Sequence, residues 1–202
     1  YRRQRQMCIR DRFNCMNTDK ICIFTDTGKM HTIKAVDIPL GRFRDKGTPV
    51  DNLSNYDSSQ ERMLYVAPVG QLRSDRLLFV TKTSMCKLVE GAEFDVAKRT
   101  IASTKLADED ELIFIGSASE MEQIVLQSHG GCFLRFLTQE VSTMKKTALG
   151  VRGMKLADDD YLEHAYLLAG HQEYTISYHD KEYALNKVRL AKRDTKGIKP
   201  RI

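Results

Sequence analysis

The feature that most constrains what this chain can fold into is a four-part pattern that returns at a period of about fifty residues. Each copy opens with two short apolar runs around a turn. A basic stretch follows, then a polar or acidic turn, then one more apolar run. In the first copy two runs flank T-D-T-G at residues 25–28, Gly41–Gly47 is the basic stretch, Thr48–Leu53 reads as a strand, Asn55–Glu61 as a polar turn and Met63–Val69 as another strand. The second places Leu77–Val80 and Met85–Val89 around T-K-T-S, then the basic stretch Ala97–Lys105, the acidic turn Ala107–Glu111 and the run Leu112–Ile115. In the third, Ile124–Leu126 and Cys132–Leu137 flank S-H-G-G, ahead of basic Lys145–Leu156, acidic Ala157–Asp160 and Tyr161–Leu168. The fourth has Tyr174–Tyr178 and Tyr183–Leu190 around H-D-K-E, then Lys192–Arg201, with no acidic turn or closing run after it in the 202 residues. His31, Lys87, Arg135 and Lys187 set the register of the second run in each hairpin.

Short runs of strand formers broken by Gly-containing turns call for hairpins. A lone hairpin cannot bury its apolar faces, so units of this kind must pack on their neighbours. The pattern therefore predicts an all-β, propeller-like array: about three complete four-stranded blades plus one partial blade, with repeats near 20–69, 75–120, 123–170 and 174–202. No segment sustains a helical apolar spacing over three turns, and only Asp159–Ala169 suits a short helix.

The ends of the chain carry its positive charge. Residues 1–12 hold five arginines against Asp11, and Lys187–Ile202 hold seven cations against Asp194, so most of the net +5 lies outside a mildly acidic body. Arg2–Asp11 reads R-R-Q-R-Q-M-C-I-R-D, which looks like the translation of a transposase-type sequencing adapter. Residues 1–12 are therefore expected to be non-native, and 13–202 to form the domain; the other reading of the segment is a basic nucleic-acid-binding arm. Cys15, Cys22, Cys86 and Cys132 make no C-x-x-C pair and read as small buried hydrophobes of a reducing compartment. No apolar run approaches the roughly eighteen residues of a membrane span.

Four stretches in the right order carry a resemblance: I-F-T-D-T-G-K-M-H-T-I-K (23–34), L-F-V-T-K-T-S-M-C-K-L-V (78–89), G-V-R-G-M-K-L (150–156) and L-N-K-V-R-L-A-K-R-D-T-K-G (185–197). They are similar to the C-terminal β-pinwheel domain of the A subunit of bacterial type IIA topoisomerases, gyrase and topoisomerase IV. The resemblance implies a propeller variant that exchanges strands between blades and wraps double-stranded DNA on a basic rim. It further implies that this is the distal part of a longer cytoplasmic, chromosome-associated bacterial subunit. The cleavage core with its tyrosine nucleophile would lie upstream, so no tyrosine here is assigned that role. The partners through that upstream region would be the topoisomerase B subunit together with a second A subunit. No cofactor is expected in this stretch; ATP and Mg2+ would bind elsewhere in the complex.

Wrapping a duplex needs cations at intervals along a curved edge, because each neutralised phosphate releases counterions. The candidate DNA contacts, one group per repeat, are Arg42, Arg44 and Lys46; Lys98, Arg99 and Lys105; Lys145, Lys146, Arg152 and Lys155; and Lys192, Arg193 and Lys196. Gyrases carry a box resembling Q-R/K-R-G-G-K-G. Ala191–Gly197 keeps Lys192, Arg193, Lys196 and Gly197 of it, but has Ala191 for the glutamine and Asp194–Thr195 for the glycine pair. The alternative function is a propeller-type protein-interaction module using acidic turns or apolar rims. His31, His129, His164, His171 and His179 lack metal-ligand spacing. Asp158–Asp160 reads as a solvated turn, and Gly150–Lys155 lacks P-loop order.

Overall fold

The computed structural model describes residues 13–200 except 43 and 171–172; the segment 1–12, expected to be non-native, lies outside the described residues. Antiparallel hairpins dominate, one per repeat. The first pairs β1 (Lys20–Thr25) with β2 (Lys29–Lys34), and β3 (Met63–Pro68) lies on the far side of β1. The second pairs β4 (Arg76–Thr81) with β5 (Met85–Glu90), the latter preceding the short β6 (Thr100–Ala102), and β7 (Leu112–Ser117) flanks β4. In the third, β8 (Gln123–Ser128) pairs β9 (Phe133–Leu137), β10 (Val151–Arg152) follows, and β11 (Leu162–Leu168) flanks β8. The fourth is β12 (Thr175–Tyr178) with β13 (Lys181–Ala184).

Each of the first three sheets is extended by the repeat that follows it. The first runs β3-β1-β2-β6, taking β6 from the second repeat; the second runs β10-β5-β4-β7, taking β10 from the third. The third sheet, β11-β8-β9, receives an antiparallel bridge from Ile198 of the fourth repeat to Phe133. The closing strands reach backwards too. Leu112 N donates to Asp26 O at 2.9 Å, and Leu162 N to Lys82 O at 2.9 Å, so the strand that closes one repeat grips the hairpin turn of the repeat before.

The inner strands are apolar without alternation because both of their faces are buried. In β4, Leu77 and Phe79 pack with Cys22, Phe24 and Met30 of the first sheet. Leu78 and Val80 pack on the opposite side, with Ile124, Leu126 and Phe136 of the third. Phe94, from the turn after β5, lies edge-on to Phe24 with ring centres 4.9 Å apart. A smaller cluster of Val125, Phe133, Leu168, Leu185 and Val188 joins the third sheet to the fourth hairpin. Each such side chain contributes roughly 1.5–3 kcal/mol by leaving water.

Several sequence expectations change. Thr48–Leu53 is not a strand: Pro49 supplies no N–H to a ladder, and Val50–Asn52 forms a 3-10 turn. From there the longer loop of the first repeat crosses the outside of the first sheet, where Tyr56 lies against His31 with ring centres 6.2 Å apart and donates its hydroxyl to Glu61 O at 3.0 Å. Asp159–Ala169 holds the strand β11 instead of a helix, because Leu162, Ala165 and Leu168 are buried by pairing with β8. The fourth turn is only His179–Asp180, both left-handed (φ 49° and 58°), so Lys181 and Glu182 belong to β13.

The register of the later repeats also shifts. The last left-handed residues of the four turns are Gly28, Ser84, Gly131 and Asp180. Three residues beyond them stand His31, Lys87, Leu134 and Tyr183, facing Ile23, Phe79, Leu126 and Ile176. Arg135 is one place further along, and Lys187 lies in a 3-10 turn after β13. Alignment on cations follows charge and not ladder position.

Candidate nucleic-acid interface

After its second strand, each repeat makes a 3-10 turn, and in the second, third and fourth repeats the chain then runs as a strap along the outer edge of the preceding sheet. The turns are Ala35–Asp37, Gly91–Phe94, Thr138–Glu140 and Leu185–Lys187. In the second repeat the strap is fixed by Thr32 N donating to Arg99 O at 2.8 Å. In the third, Met144 N donates to Leu88 O at 2.8 Å; in the fourth, Ala191 N donates to Arg135 O at 2.8 Å. Buried apolar residues, Phe94, Val141 and Val188, plug these straps inward, whereas Ile38 at the matching place of the first repeat is 38% exposed.

Cations inside the sheets latch the straps. The Lys87 ammonium is 1% exposed and donates to Lys146 O and Ala148 O, both at 2.7 Å. Burial pushes its pKa down to about 8, partly opposed by the Glu93 carboxylate. Arg135 Nη1 donates to Val188 O at 3.0 Å and to Asn186 O, while its Nε donates to Gln123 at 2.7 Å. His31 sits between Glu61 (Nε2 to Oε2, 2.9 Å) and Thr100 (Nδ1 to Oγ1, 3.1 Å). Burial favours the neutral Glu61 carboxyl, but hydrogen bonds from Lys29, His31 and Thr25 outweigh it and hold the group below its ordinary range.

The candidate contacts divide into two sets. Lys146 and Arg193 turn inward and form the same clamp in successive repeats. Lys146 N donates to the Glu93 carboxylate at 3.1 Å and its Nζ to Glu93 O at 3.0 Å. Arg193 N donates to the Glu140 carboxylate at 2.9 Å and its Nε to Glu140 O at 3.1 Å. These two side chains hold straps to turns. One residue before each clamp, Lys145 and Lys192 point outward; in the second repeat Lys98 and Arg99 are both exposed. Lys145 is 83% exposed, with only a loose 3.5 Å approach to Glu93. Among the described residues Lys98, Lys105, Lys155, Lys192 and Lys196 are exposed with no salt bridge. Arg42, Arg44 and Lys46 are exposed in the first repeat's loop, where Asp45 accepts from Arg42 N at 2.6 Å. Arg152 is paired with Asp194 through both carboxylate oxygens. Lys199, exposed beside the Ile198 bridge, is a further outward cation that loop spacing overlooks.

The acidic turns have a structural role beyond solvation. Asp110 accepts from Thr83 N at 3.0 Å and Thr83 Oγ1 at 2.6 Å, tying the acidic turn to the hairpin turn of the same repeat. Asp160 does the same for Gly130 N at 2.8 Å. Burial would raise Asp160, yet hydrogen bonds from Ser128, Gly130 and Tyr161 keep its carboxyl below the usual value. Among the described residues no group of three or more His, Cys, Asp or Glu is placed to hold a metal, and no helix is long and apolar enough to cross a membrane.

Hairpin sheets lapped in sequence, the first two finished by a strand and the third by a bridge from the next repeat, make this a β-propeller of the pinwheel kind. A family model described as DNA gyrase C-terminal domain, β-propeller, matches residues 19–58, 75–119 and 122–169, and the chain belongs to that family. It is 27% identical over 184 residues to the DNA gyrase A subunit of Ureaplasma parvum serovar 3, covering 88% of this chain and 22% of that protein. Over 153 residues it is 29% identical to the DNA topoisomerase 4 A subunit of Bacillus subtilis (strain 168), covering 74% of this chain and 19% of that one. The crystal structure of the C-terminal domain of DNA topoisomerase IV matches with a TM-score of 0.81 over 90% of this chain and 58% of that chain, at 24% identity, a likeness of fold. The chain thus spans roughly a fifth of the length of the subunits it matches.

Proposed function

We propose that this chain is the DNA-holding part of a type IIA topoisomerase A subunit. It binds a duplex along its straps and presents a bent segment to a cleavage core carried elsewhere in the same protein. The topoisomerase B subunit joins through that region, as does a second A subunit, and ATP and Mg2+ act there; the chain itself contributes no catalytic residue. Its setting is the bacterial cytoplasm, on the chromosome. The observation that carries this reading is the repeated placement of Lys98, Lys145 and Lys192: each is exposed, and each is the sequence neighbour of a residue whose backbone docks its strap on the preceding sheet, Arg99, Met144 and Ala191. Cations spaced along successive sheet edges suit a phosphate backbone that passes from blade to blade. Such contacts neutralise charge and set position without reading bases. The family membership and the gyrase and topoisomerase IV relatives support the same reading.

The test is charge reversal of Lys98, Lys145 and Lys192 to Glu, with binding to a linear duplex measured across a salt series. The salt slope falls by about 0.9 for each phosphate that is no longer neutralised, and affinity drops with it. Unchanged affinity and slope in a folded triple variant would overturn the assignment.

A further inference from the structure

Asp194 is the one acid among the last sixteen residues, a stretch with seven cations. Its backbone is fixed independently of its side chain. Asp194 N donates to Gly153 O at 2.7 Å, Lys155 N donates to Thr195 O at 3.0 Å, and Met154 and Thr195 form a parallel bridge. Its φ is +62°, a left-handed conformation that suits Asn, Asp or Gly. This frame aims the carboxylate at the guanidinium of Arg152, at the end of the exchanged strand β10: Nη2 donates to Oδ2 at 3.1 Å and Nε to Oδ1. The side chains are 52% and 40% exposed, so the pair is open to solvent, and the exposed Lys155, Lys192 and Lys196 belong to the same segments. The Arg193 guanidinium donates to Arg152 O at 2.6 Å, which steadies the strand carrying Arg152.

We propose that Asp194 occupies the seat of a DNA phosphate at Arg152, and so acts as an internal competitor that weakens the grip of this part of the rim. A guanidinium fork presents two parallel N–H donors that fit one carboxylate or one phosphate. At Arg152 both are taken by Asp194, in an exposed pair weak enough for a polyanion to displace. Arg152 therefore counts as a reserve contact, engaged only when the duplex expels the carboxylate. Asp194 is held low by its hydrogen bonds with Arg152, with burial opposing and the positive field of Arg152, Arg193 and Lys155 adding, so the competitor stays ionised at neutral pH.

This inference rests on the DNA-binding reading, and one experiment separates the two. Duplex binding is measured over a salt series for the wild type, Asp194→Asn, Arg152→Gln and the double variant, with unfolding midpoints recorded to establish that each is folded. Asparagine keeps the shape and the left-handed backbone but not the charge. Asp194→Asn is expected to tighten binding about three- to tenfold, with the salt slope steeper by about 0.9, one added phosphate contact. That gain is expected to vanish in the Arg152→Gln background. A gain that survives without Arg152 would mean Asp194 acts only through bulk charge and would overturn the proposal. So would a folded Asp194→Asn that binds like the wild type. Absence of binding by the wild type at low salt would instead sink the DNA-binding reading, and this inference with it.

Discussion

Lys87 carries the clearest residue-scale consequence. It lies in M-C-K-L-V, an apolar run that reads as a buried strand, and the structure puts its ammonium under the strap of the next repeat. Lys87→Met would remove the donor to Ala148 O and leave Lys146 O with only the longer bond from Lys105 N at 3.2 Å, at a cost of about 1–3 kcal/mol in unfolding free energy. The pH dependence has a definite sign. Unfolded lysine holds its proton to near 10.5, whereas folded Lys87 releases it near 8. Between those values the unfolded chain binds more protons, so the wild type gains stability as pH rises through that window. Below pH 8 both states are protonated and the slope disappears. Urea unfolding of wild type and Lys87→Met from pH 7 to 10 checks this: equal slopes would contradict it. The expectation of four buried cysteines holds for two: Cys22 and Cys86 are buried and burial pushes both thiols up to about 12, whereas Cys132 is half-buried and Cys15, outside any strand, is exposed. Position in an apolar run makes the buried cysteines legible. The inward turn of Lys146 and Arg193 is not, because adjacent cations look alike until a neighbouring turn offers one of them a carboxylate.

At the scale of the element, strand exchange depends on Gly150. It precedes β10, has φ +107°, and a Cβ there would stand 2.7 Å from Cys86 O. Gly150→Ala must move β10 off β5 or strain the backbone, and the variant is expected to lose about 1–3 kcal/mol. The loss should be accompanied by faster amide exchange at Val151 and Cys86, which pair across the two repeats. Retained protection at both amides would show that the exchange does not need glycine there. Hairpins are readable from alternating turns and runs, because turn chemistry is local. Thr48–Leu53 reads as a strand yet forms none, since its apolar residues have no ladder partner. Asp159–Ala169 misleads in the opposite sense, because a seven-residue strand with a two-sided apolar pattern resembles one helical face.

For the whole molecule, each of the first three sheets borrows from its successor, so none of those three is complete alone. Truncation after Gly170 would remove Leu185 and Val188 from the third core, the Val188 and Asn186 carbonyls from Arg135, and the Ile198 bridge from Phe133. The loss of those two apolar side chains alone is worth about 3–6 kcal/mol. The truncated chain should therefore unfold at clearly lower urea; an unchanged midpoint would mean the fourth hairpin is an ornament on three self-sufficient sheets. Amino-acid order alone settled the all-β class, the period of the repeats and the presence of a basic stretch in each one, since these follow from local turn chemistry, apolar runs and counted charge. Tertiary structure decided which cation is a latch, which is a clamp and which faces outward. That choice depends on carbonyls and carboxylates supplied by a different repeat: Lys87 needs the strap that holds Lys146, Arg193 needs Glu140, and Arg152 meets Asp194 only because the fourth strap is laid against β10.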